Sequence, residues 1–280
     1  MRDYREEIVS IFKQREEDLL DGLQPSNRPV AVLFGGQAAC GKSALIEETN
    51  KMFPNRSFLN INGDQYRVVH PSYREFIHNI SSFSQNTQIC SNVFTECLID
   101  SALSRHYNVT VEGTLRAEQT TQQTITKFKN SGYNVCVMVI AAPFQLTELG
   151  AFVRFAKELE RKGFGRLVDF NSARNAYLKM PDTVDSLYLR KAVDSIHIYS
   201  RFANDHVAHY NLGDEGWDNT LLPSNIIEEE RKKLLRNKDE IRASLMVAKE
   251  MSEVLPEEVL EAFWEKYHTV EKLLLRTNNI

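Results

Sequence analysis

A glycine-rich decapeptide, GGQAACGKSA, directly follows the apolar run PVAVLF and satisfies the spacing Gly-x₄-Gly-Lys-Ser/Thr. The glycines let backbone N–H groups turn inward on an anion, and a helix that begins after the loop adds positive potential. In such loops the lysine reaches the β- and γ-phosphates of a nucleotide, and the hydroxyl after it ligates Mg²⁺. The predicted nucleotide-binding residues are Gly36, Gln37, Ala38, Ala39, Cys40, Gly41, Lys42, Ser43 and Ala44, with Ser43 as the metal ligand.

Two carboxylates follow neighbouring predicted strands and could converge on this loop. Asp64 ends the sequence NINGD, and Glu112 lies in the sequence VEGT. A carboxylate near the γ-phosphate can accept a proton from a substrate hydroxyl while the phosphoryl group moves in line. Asp64 suits that role, but an Asn-Gly-Asp sequence is also typical of an ordinary turn. Both interpretations stay open on the residues alone.

Two arginines flank the segment KGFGR, which we expect to be a mobile connection between helices. They are Arg154 and Arg166. Guanidinium groups are the usual partners for charge spread over a transferring phosphoryl group. The alternative is that each is a surface residue or part of an ordinary salt bridge.

The overall composition argues against several classes of partner. The 280 residues carry a formal net charge of -4, so no basic field favours nucleic acid. The four cysteines form no CxxC pair and have no histidine at metal-ligand spacing, which is typical of reduced thiols in the cytosol. The N-terminus is charged throughout, and no apolar run approaches the ~20 residues that span a bilayer. We therefore expect a cytoplasmic protein with no membrane or nucleic-acid partner.

Apolar runs and helical periodicity predict the elements that position these residues. Strands are expected at 29–34, 57–61, 108–111, 134–141 and, as the last strand, 195–200. Helices are expected at 3–20, 42–53, 71–80, 91–105, 119–131, 146–162, 171–179, 226–250 and 256–276. This alternation is typical of parallel βαβ units in a three-layer α/β fold, in which ligands bind beyond the carboxyl ends of the strands.

Several motifs in fixed order resemble the zeta toxin family. They are NGDQYRVVHPSY, VEGTLR, a Gln-Gln-Thr run ending at Thr124, GYNVCVMVIAAP, LGAFVRF, KMPDTVDSL and SIHIYSR, in addition to the N-terminal helix and the phosphate loop. The resemblance covers residues 1–205. It implies an α/β, three-layer P-loop kinase fold with a mostly parallel central sheet and added C-terminal helices. Residues 1–213 would form the kinase core, and residues 214–280 a charged helical extension packed on or appended to it.

The resemblance also implies an activity. The family's enzymes use ATP or GTP with Mg²⁺ to phosphorylate the 3′-hydroxyl of the sugar of UDP-N-acetylglucosamine, a toxic reaction that blocks bacterial cell-wall synthesis. Lys42 and Ser43 would hold phosphate and metal, and Asp64 would be the general base. The sugar nucleotide, or a related UDP-sugar, would contact Asp64, Glu96, Glu112, Arg116 and Thr124, while Lys42, Arg154 and Arg166 would act on the phosphoryl group. His70 would pack structurally beside Pro71. A small helical antitoxin would cover the nucleotide site as a separate chain, and an inhibitor fused within the charged C-terminal helices is the alternative.

The chain also departs from the family pattern. Ala38, Ala39 and Cys40 stand where the family usually has more Gly and Ser, and the stretch after Arg154 aligns only with a gap. Arg161 and Arg174 are therefore alternatives to Arg166. Two other functions stay open. One is a kinase for another hydroxylated substrate, such as an antibiotic or a nucleic-acid end. The other is a non-catalytic module whose output is nucleotide-dependent closure.

Overall fold

Strands from much of the chain form one mixed sheet in the computed structural model, which describes residues 4–77, 80–203 and 205–275. The strands are β1 (Val30–Gly35), β2 (Phe58–Ile61), β3 (Asn108–Glu112), β4 (Asn134–Ala141), β5 (Ser195–Ser200), β6 (His206–Gly213) and β7 (Gly216–Trp217). Their order across the sheet is β2-β3-β1-β4-β5-β6-β7. Strands β1 to β5 run parallel, and β6 and β7 add an antiparallel end.

The expectation that 195–200 is the last strand is wrong. Strand β6 returns antiparallel along β5, and the two residues of β7 pair with the end of β6. In β6 only Tyr210 is buried, while His206, His209 and Asn211 are exposed. A strand that is not covered on both faces lacks the continuous apolar run that marks buried parallel strands, so this pattern concealed it.

In the described part of the chain, one helix precedes the first strand, others connect the parallel strands, and three follow the last strand. They are α1 (Arg5–Leu20), α2 (Leu45–Met52), α3 (Tyr73–Phe76), α4 (Ile80–Asn86), α5 (Gln88–Arg105), α6 (Glu118–Asn130), α7 (Phe144–Lys162), α8 (Phe170–Leu189), α9 (Pro223–Arg236), α10 (Lys238–Met251) and α11 (Glu257–Leu275). Short 3₁₀ segments at Lys42–Ala44 and Gly63–Val69 follow the first two strands. No helix in the described ranges is long and apolar enough to cross a bilayer.

Several helix boundaries differ from the predicted ones for local reasons. The helix expected at 226–250 is interrupted at Asn237, whose side chain accepts from Glu240 N at 3.2 Å and caps α10. Helix α8 continues past Pro181 to Leu189, because its buried stripe continues. The helix expected at 71–80 is reduced to α3, and His78 and Asn79 lie outside the described residues. Asp3 and Arg276, the outer limits of two other predicted helices, also lie outside them.

Alternate residues of β1 enter two different apolar layers. Ala31 and Leu33 join a large cluster with residues of α1, α5, α6, α8 and α9 on one face of the sheet. Val32 and Phe34 pack on the other face with Leu45 of α2. All six residues of β1 are buried, as expected for a central strand covered on both sides. The loop that follows β1 therefore begins from a rigid support.

The last two helices, α10 and α11, pack against α7. Phe152 and Phe155 of α7 share a buried cluster with Ile241 of α10 and Phe263 of α11. The rings of Phe152 and Phe263 meet edge to face with centroids 5.7 Å apart. These contacts hold α7 in place, and α7 carries Arg154.

Strand order decides which side chains meet at the carboxyl edge. Strand β3 lies between β2 and β1, so the residues after these three strands become neighbours. The segment after β2 carries Asp64, β3 ends at Glu112, and the phosphate loop follows β1. The fold therefore brings together the carboxylates and the loop that the sequence analysis singled out.

Candidate active site

The phosphate loop has positive φ values at several positions, and at Gly41 a side chain would also clash with neighbouring backbone. Gly36, Ala39 and Gly41 have φ values of 138°, 59° and 103°. A Cβ atom at Gly41 would lie 2.6 Å from Cα of Phe202, which is closer than real atoms approach. The backbone of Phe202 also donates from its N–H to the carbonyl oxygen of Cys40 at 3.2 Å. The segment after β5 thus presses directly on the loop.

Hydrogen bonds from inside the loop fix its shape further. The buried Gln37 side chain donates from Nε2 to the carbonyl oxygen of Ala142 at 2.8 Å and to Oγ1 of Thr147 at 3.3 Å. Lys42 is also buried, and its Nζ donates to the carbonyl oxygens of Gly36 and Gln37, each at 3.0 Å. The Cys40 thiol is buried, and this burial raises its pKa, so it is a packing group and not a nucleophile.

Glu112 lies beside the lysine of the loop. Its Oε1 atom is 4.0 Å from Nζ of Lys42, and its Oε2 atom accepts from Nδ2 of Asn62 at 2.7 Å. The backbone N–H of Gly113 bonds to the carbonyl oxygen of Phe34 at 3.1 Å and ties the end of β3 to β1. An anionic group is therefore held at the mouth of the phosphate loop.

Asp64 sits in a turn that presents its carboxylate to two arginines. Asn62 caps the turn by accepting from the N–H of Asp64 at 3.1 Å, so the Asn-Gly-Asp sequence does form a turn. Oδ1 of Asp64 accepts from Nε of Arg67 at 2.8 Å, and Oδ2 accepts from Nη2 of Arg166. Burial alone would raise the pKa of Asp64. The positive charges of three arginines, Arg166, Arg67 and Arg154, outweigh the effect of burial, so the pKa of Asp64 lies below its ordinary value. Asp64 is therefore ionised near neutral pH.

Arg154 points unpaired donors into the same region. Its side chain is 34% exposed overall, with Nε 4.0 Å from Oε1 of Glu158. Yet Nε and Nη2 are themselves buried and have no hydrogen-bond partner among the described residues. Burial lowers the pKa of Arg154 and so does Arg166, while Glu158, Asp64 and Glu112 favour its charged form. Buried guanidinium donors normally find a partner, so this pair is suited to an anion.

The structure separates Arg166 from its two alternatives. Arg166 lies in the loop between α7 and α8, and its side chain contacts Asp64. Its backbone N–H donates to Oε2 of Glu158 at 2.9 Å, which holds the loop against α7. Arg161 and Arg174 are exposed on α7 and α8. Of the three, Arg166 is the one that contacts Asp64.

The remaining predicted substrate residues make their contacts away from Asp64. Glu96 on α5 pairs with Arg5 of α1, and Arg116 reaches the carbonyl oxygen of Ser172 at 3.5 Å. Thr124 on α6 bonds to the carbonyl oxygen of its own helix at Thr120.

The helices that carry Glu96 and Thr124 are neighbours. Nζ of Lys127 on α6 lies 3.5 Å from Oδ1 of Asp100 on α5. Glu96 and Thr124 each lie about one turn before this pair, toward the carboxyl edge of the sheet. They are therefore placed on adjacent helices that begin at the carboxyl edge of the sheet.

Two residues of the site were missed by sequence reasoning. Asn62 holds Glu112, and Arg67 holds Asp64. Both lie in the motif NGDQYRVVHPSY, and the spacing of Asp64 and Arg67 by three residues in a helical segment was a usable signal. His70 is structural, as expected: it is buried, its Nδ1 accepts from the N–H of Ser72 at 3.0 Å, and its ring packs on Tyr4.

Comparison with known proteins relates the chain to one family. Residues 16–214 match the family model for zeta toxin. Toxin PezT of Streptococcus pneumoniae is 30% identical over 157 residues, which are 55% of this chain and 62% of that toxin. Toxin zeta of Streptococcus pyogenes is 26% identical over 191 residues, which are 66% and 65% of the two chains. The chain thus spans less than two thirds of the length of these curated relatives.

Solved structures extend the similarity to the fold of nearly the whole chain. A structure from the PezAT chromosomal toxin–antitoxin system of Streptococcus pneumoniae has a TM-score of 0.72 at 22% identity and covers 90% of this chain and 98% of that one. A structure of the AvrRxo1-ORF1:AvrRxo1-ORF2 complex with sulphate ions has a TM-score of 0.52 at 11% identity and covers 98% and 88%. The three-layer P-loop kinase fold is therefore shown. Because the family model matches well over half of its residues, the chain belongs to the zeta toxin family.

Proposed function

We propose that this protein is a kinase that transfers the γ-phosphoryl group of ATP or GTP to the 3′-hydroxyl of the sugar of UDP-N-acetylglucosamine, and that it acts as a toxin. One observation carries the proposal: an ionised carboxylate, Asp64, meets Arg166 beside a phosphate loop, next to the unpaired donors of Arg154. A proton acceptor and cationic donors around a phosphate site are the parts that phosphoryl transfer to a hydroxyl requires.

The loop has the groups that a nucleotide needs. Lys42 now donates to two loop carbonyls, and it would exchange these for the more negative β- and γ-phosphate oxygens. Ser43 is exposed at the start of the helical segment, and its hydroxyl is the hard oxygen donor that Mg²⁺ prefers. Ser43 would hold the ion, and bound Mg²⁺ would neutralise charge on the phosphates.

Asp64 would act as the general base. Its low pKa keeps it ionised, and its Oδ2 atom accepts a hydrogen bond from Arg166. The sugar hydroxyl would give its proton to this carboxylate as the new O–P bond forms and the bond between the β- and γ-phosphates breaks.

The two arginines would stabilise the phosphoryl group in transit. Nε and Nη2 of Arg154 are preformed donors, so they need little rearrangement when charge develops. Arg166 is shared with Asp64, and an arriving γ-phosphoryl group would compete for its guanidinium. Glu112 and, on the neighbouring helices, Glu96 and Thr124 would contact the sugar nucleotide, as would Arg116.

An antitoxin is the proposed partner. Among the similar structures, one belongs to a toxin–antitoxin system and another is a two-protein complex. A free kinase of this kind would harm its host. We infer that a separate small helical protein covers the nucleotide site of this chain, and that both act in the cytoplasm.

The test is phosphoryl transfer from labelled ATP and GTP to a panel of UDP-sugars, with Asp64→Asn in parallel. The matched control is Asp239→Asn, which removes a carboxylate that is 92% exposed on α10. We expect label on the sugar of UDP-N-acetylglucosamine and a loss of about 10²- to 10⁴-fold in kcat for Asp64→Asn only. Nucleotide binding without a labelled UDP-sugar would refute the proposed substrate. Full transfer by Asp64→Asn would refute the proposed base.

A further inference from the structure

Arg67 is the most completely bonded charged group near the candidate site. It is 5% exposed, and its Nε donates to Oδ1 of Asp64 at 2.8 Å. Nη1 donates to the carbonyl oxygen of Ser84 at 2.7 Å and to Oγ1 of Thr87 at 3.1 Å, and Nη2 donates to Oε1 of Gln88 at 2.8 Å. Every nitrogen of the guanidinium group is thus committed to a protein oxygen.

The partners of Arg67 lie where two consecutive helices meet. Ser84 lies in α4, Thr87 precedes α5, and Gln88 is the first residue of α5. Thr87 is buried, and its hydroxyl also donates to the carbonyl oxygen of Phe83 at 2.7 Å. The guanidinium plane is therefore held from three sides, and the planar fork of arginine transmits that orientation to its fourth partner, Asp64.

The two oxygens of Asp64 face arginines of different kinds. Arg67 is buried and anchored by helix ends. Arg166 comes from the loop between α7 and α8, and Asp64 is the partner of its Nη2 atom. Oδ1 is consequently held by a donor with several other anchors, Arg67. Oδ2 is held by Arg166, a donor that a phosphate group can draw away.

We propose that Arg67 is the positioning residue of this site: by holding Oδ1, it aims Oδ2 of Asp64 at the acceptor hydroxyl and makes Oδ2 the atom that receives the proton. This inference rests on the proposed kinase function. It adds an order of events, because Oδ2 becomes free only when Arg166 turns to the nucleotide. Arg67 then remains as the cation bonded to the base.

The consequence for pH follows from the groups that face Asp64. These are Arg67 on its own segment, Arg154 from α7 and Arg166 from the loop after α7. Cys90 of α5 faces Arg67, and burial raises the pKa of that thiol to about 11, so it stays neutral in the assay range. Loss of the Arg67 charge removes an interaction that favours the carboxylate. The pKa of the base then rises, and activity is lost at a higher pH as the pH falls.

The experiment compares pH profiles of kcat for the full chain and its variants, with ATP and UDP-N-acetylglucosamine. For Arg67→Gln we expect a fall of about 10- to 100-fold in kcat at neutral pH and an unchanged KM for ATP. We also expect the acid limb, which is the acidic side of the kcat–pH profile, to move to higher pH. Arg67→Lys keeps the positive charge but loses the planar guanidinium group. We therefore expect kcat to fall, while the acid limb moves less than in Arg67→Gln. Gln88→Ala removes one anchor at an exposed residue and should lower kcat less than either change.

Arg231→Lys is the matched control for a buried arginine. Arg231 is 2% exposed, pairs with Glu228 and donates to the carbonyl oxygen of Tyr177 at 2.9 Å. Its replacement should lower thermal stability and leave the acid limb in place. If Arg67→Gln fails to fold, Arg67→Lys and Gln88→Ala decide the question. Wild-type kcat and an unmoved acid limb in the folded Arg67 variants would overturn the inference about Arg67 but not the proposed kinase function. A wild-type protein that phosphorylates no acceptor would overturn the proposed function first.

Discussion

The contact between the phosphate loop and Phe202 leads to a quantitative prediction for Gly41→Ala. Two costs add at this position. The backbone at Gly41 has φ 103°, and left-handed backbone costs a residue with a Cβ about 1–2 kcal/mol. The new Cβ would also lie 2.6 Å from Cα and 2.7 Å from N of Phe202, and such overpacking costs about 1–3 kcal/mol. We therefore expect Gly41→Ala to lower the free energy of unfolding by about 2–5 kcal/mol.

Gly132→Ala separates the two costs. Gly132 has φ 79°, and a Cβ there meets no heavy atom of the described residues within 4 Å. That variant should lose about 1–2 kcal/mol from backbone strain alone. The difference between the two variants, measured by urea unfolding, then reports the clash with Phe202.

Nucleotide binding provides the second measurement. The loop can relieve the clash only by moving away from the segment after β5, so Gly41→Ala should bind ATP at least about tenfold more weakly, which corresponds to 1.4 kcal/mol. Gly132→Ala should bind like wild type. Adding Phe202→Ala should not restore full binding, because it removes the approach to Cδ1 of Phe202 at 2.7 Å but leaves the approaches to Cα and N of its backbone. Equal stability of the two alanine variants together with wild-type ATP affinity of Gly41→Ala would refute this reasoning.

Two further predictions concern the phosphoryl site and the response to pH. In a phosphoryl-transfer assay, Arg154→Met and Arg166→Met should each lower kcat by about 10²-fold or more. Arg161→Met should stay close to wild type, because that residue is exposed. Similar losses of kcat in all three variants would contradict the assignment of Arg154 and Arg166. Burial lowers the pKa of His197 to about 4, so the unfolded chain binds the proton first as the pH falls, and stability drops between about pH 7 and 4. His197→Gln should remove about 3 kcal/mol of that pH dependence in urea unfolding, and an identical slope in both proteins would contradict it.

Much of the parallel sheet could be predicted because its strands are short, apolar and buried on both faces. Strands β4 and β5 have the predicted bounds. Strand β6 escaped prediction because its exposed histidines and asparagine interrupt the apolar pattern. The single helix expected at 226–250 divides at Asn237, where a capping residue acts within a stretch of helix-forming residues.

The candidate site also combines features that could be predicted from the sequence with features that could not. Asp64 and Glu112 could be predicted because residues after parallel strands collect at one edge of the sheet. Arg166 was expected from the family resemblance with Arg161 as an alternative, but its contact with Asp64 could not be predicted, because it depends on how the loop after α7 returns to a residue far away in sequence. The hydrogen bonds of Arg67 depend likewise on the packing of α4 and α5.

The sequence by itself determined the phosphate loop, the alternation of strands and helices, and the motifs of the zeta toxin family. These are local: they follow from residue types at fixed spacing along the chain. Only the tertiary structure decided which guanidinium groups share Asp64, which donors of Arg154 stay unpaired, and how Phe202 limits the loop at Gly41. Those features arise from contacts between distant segments, whose distances and burial are set by the packing of the whole chain.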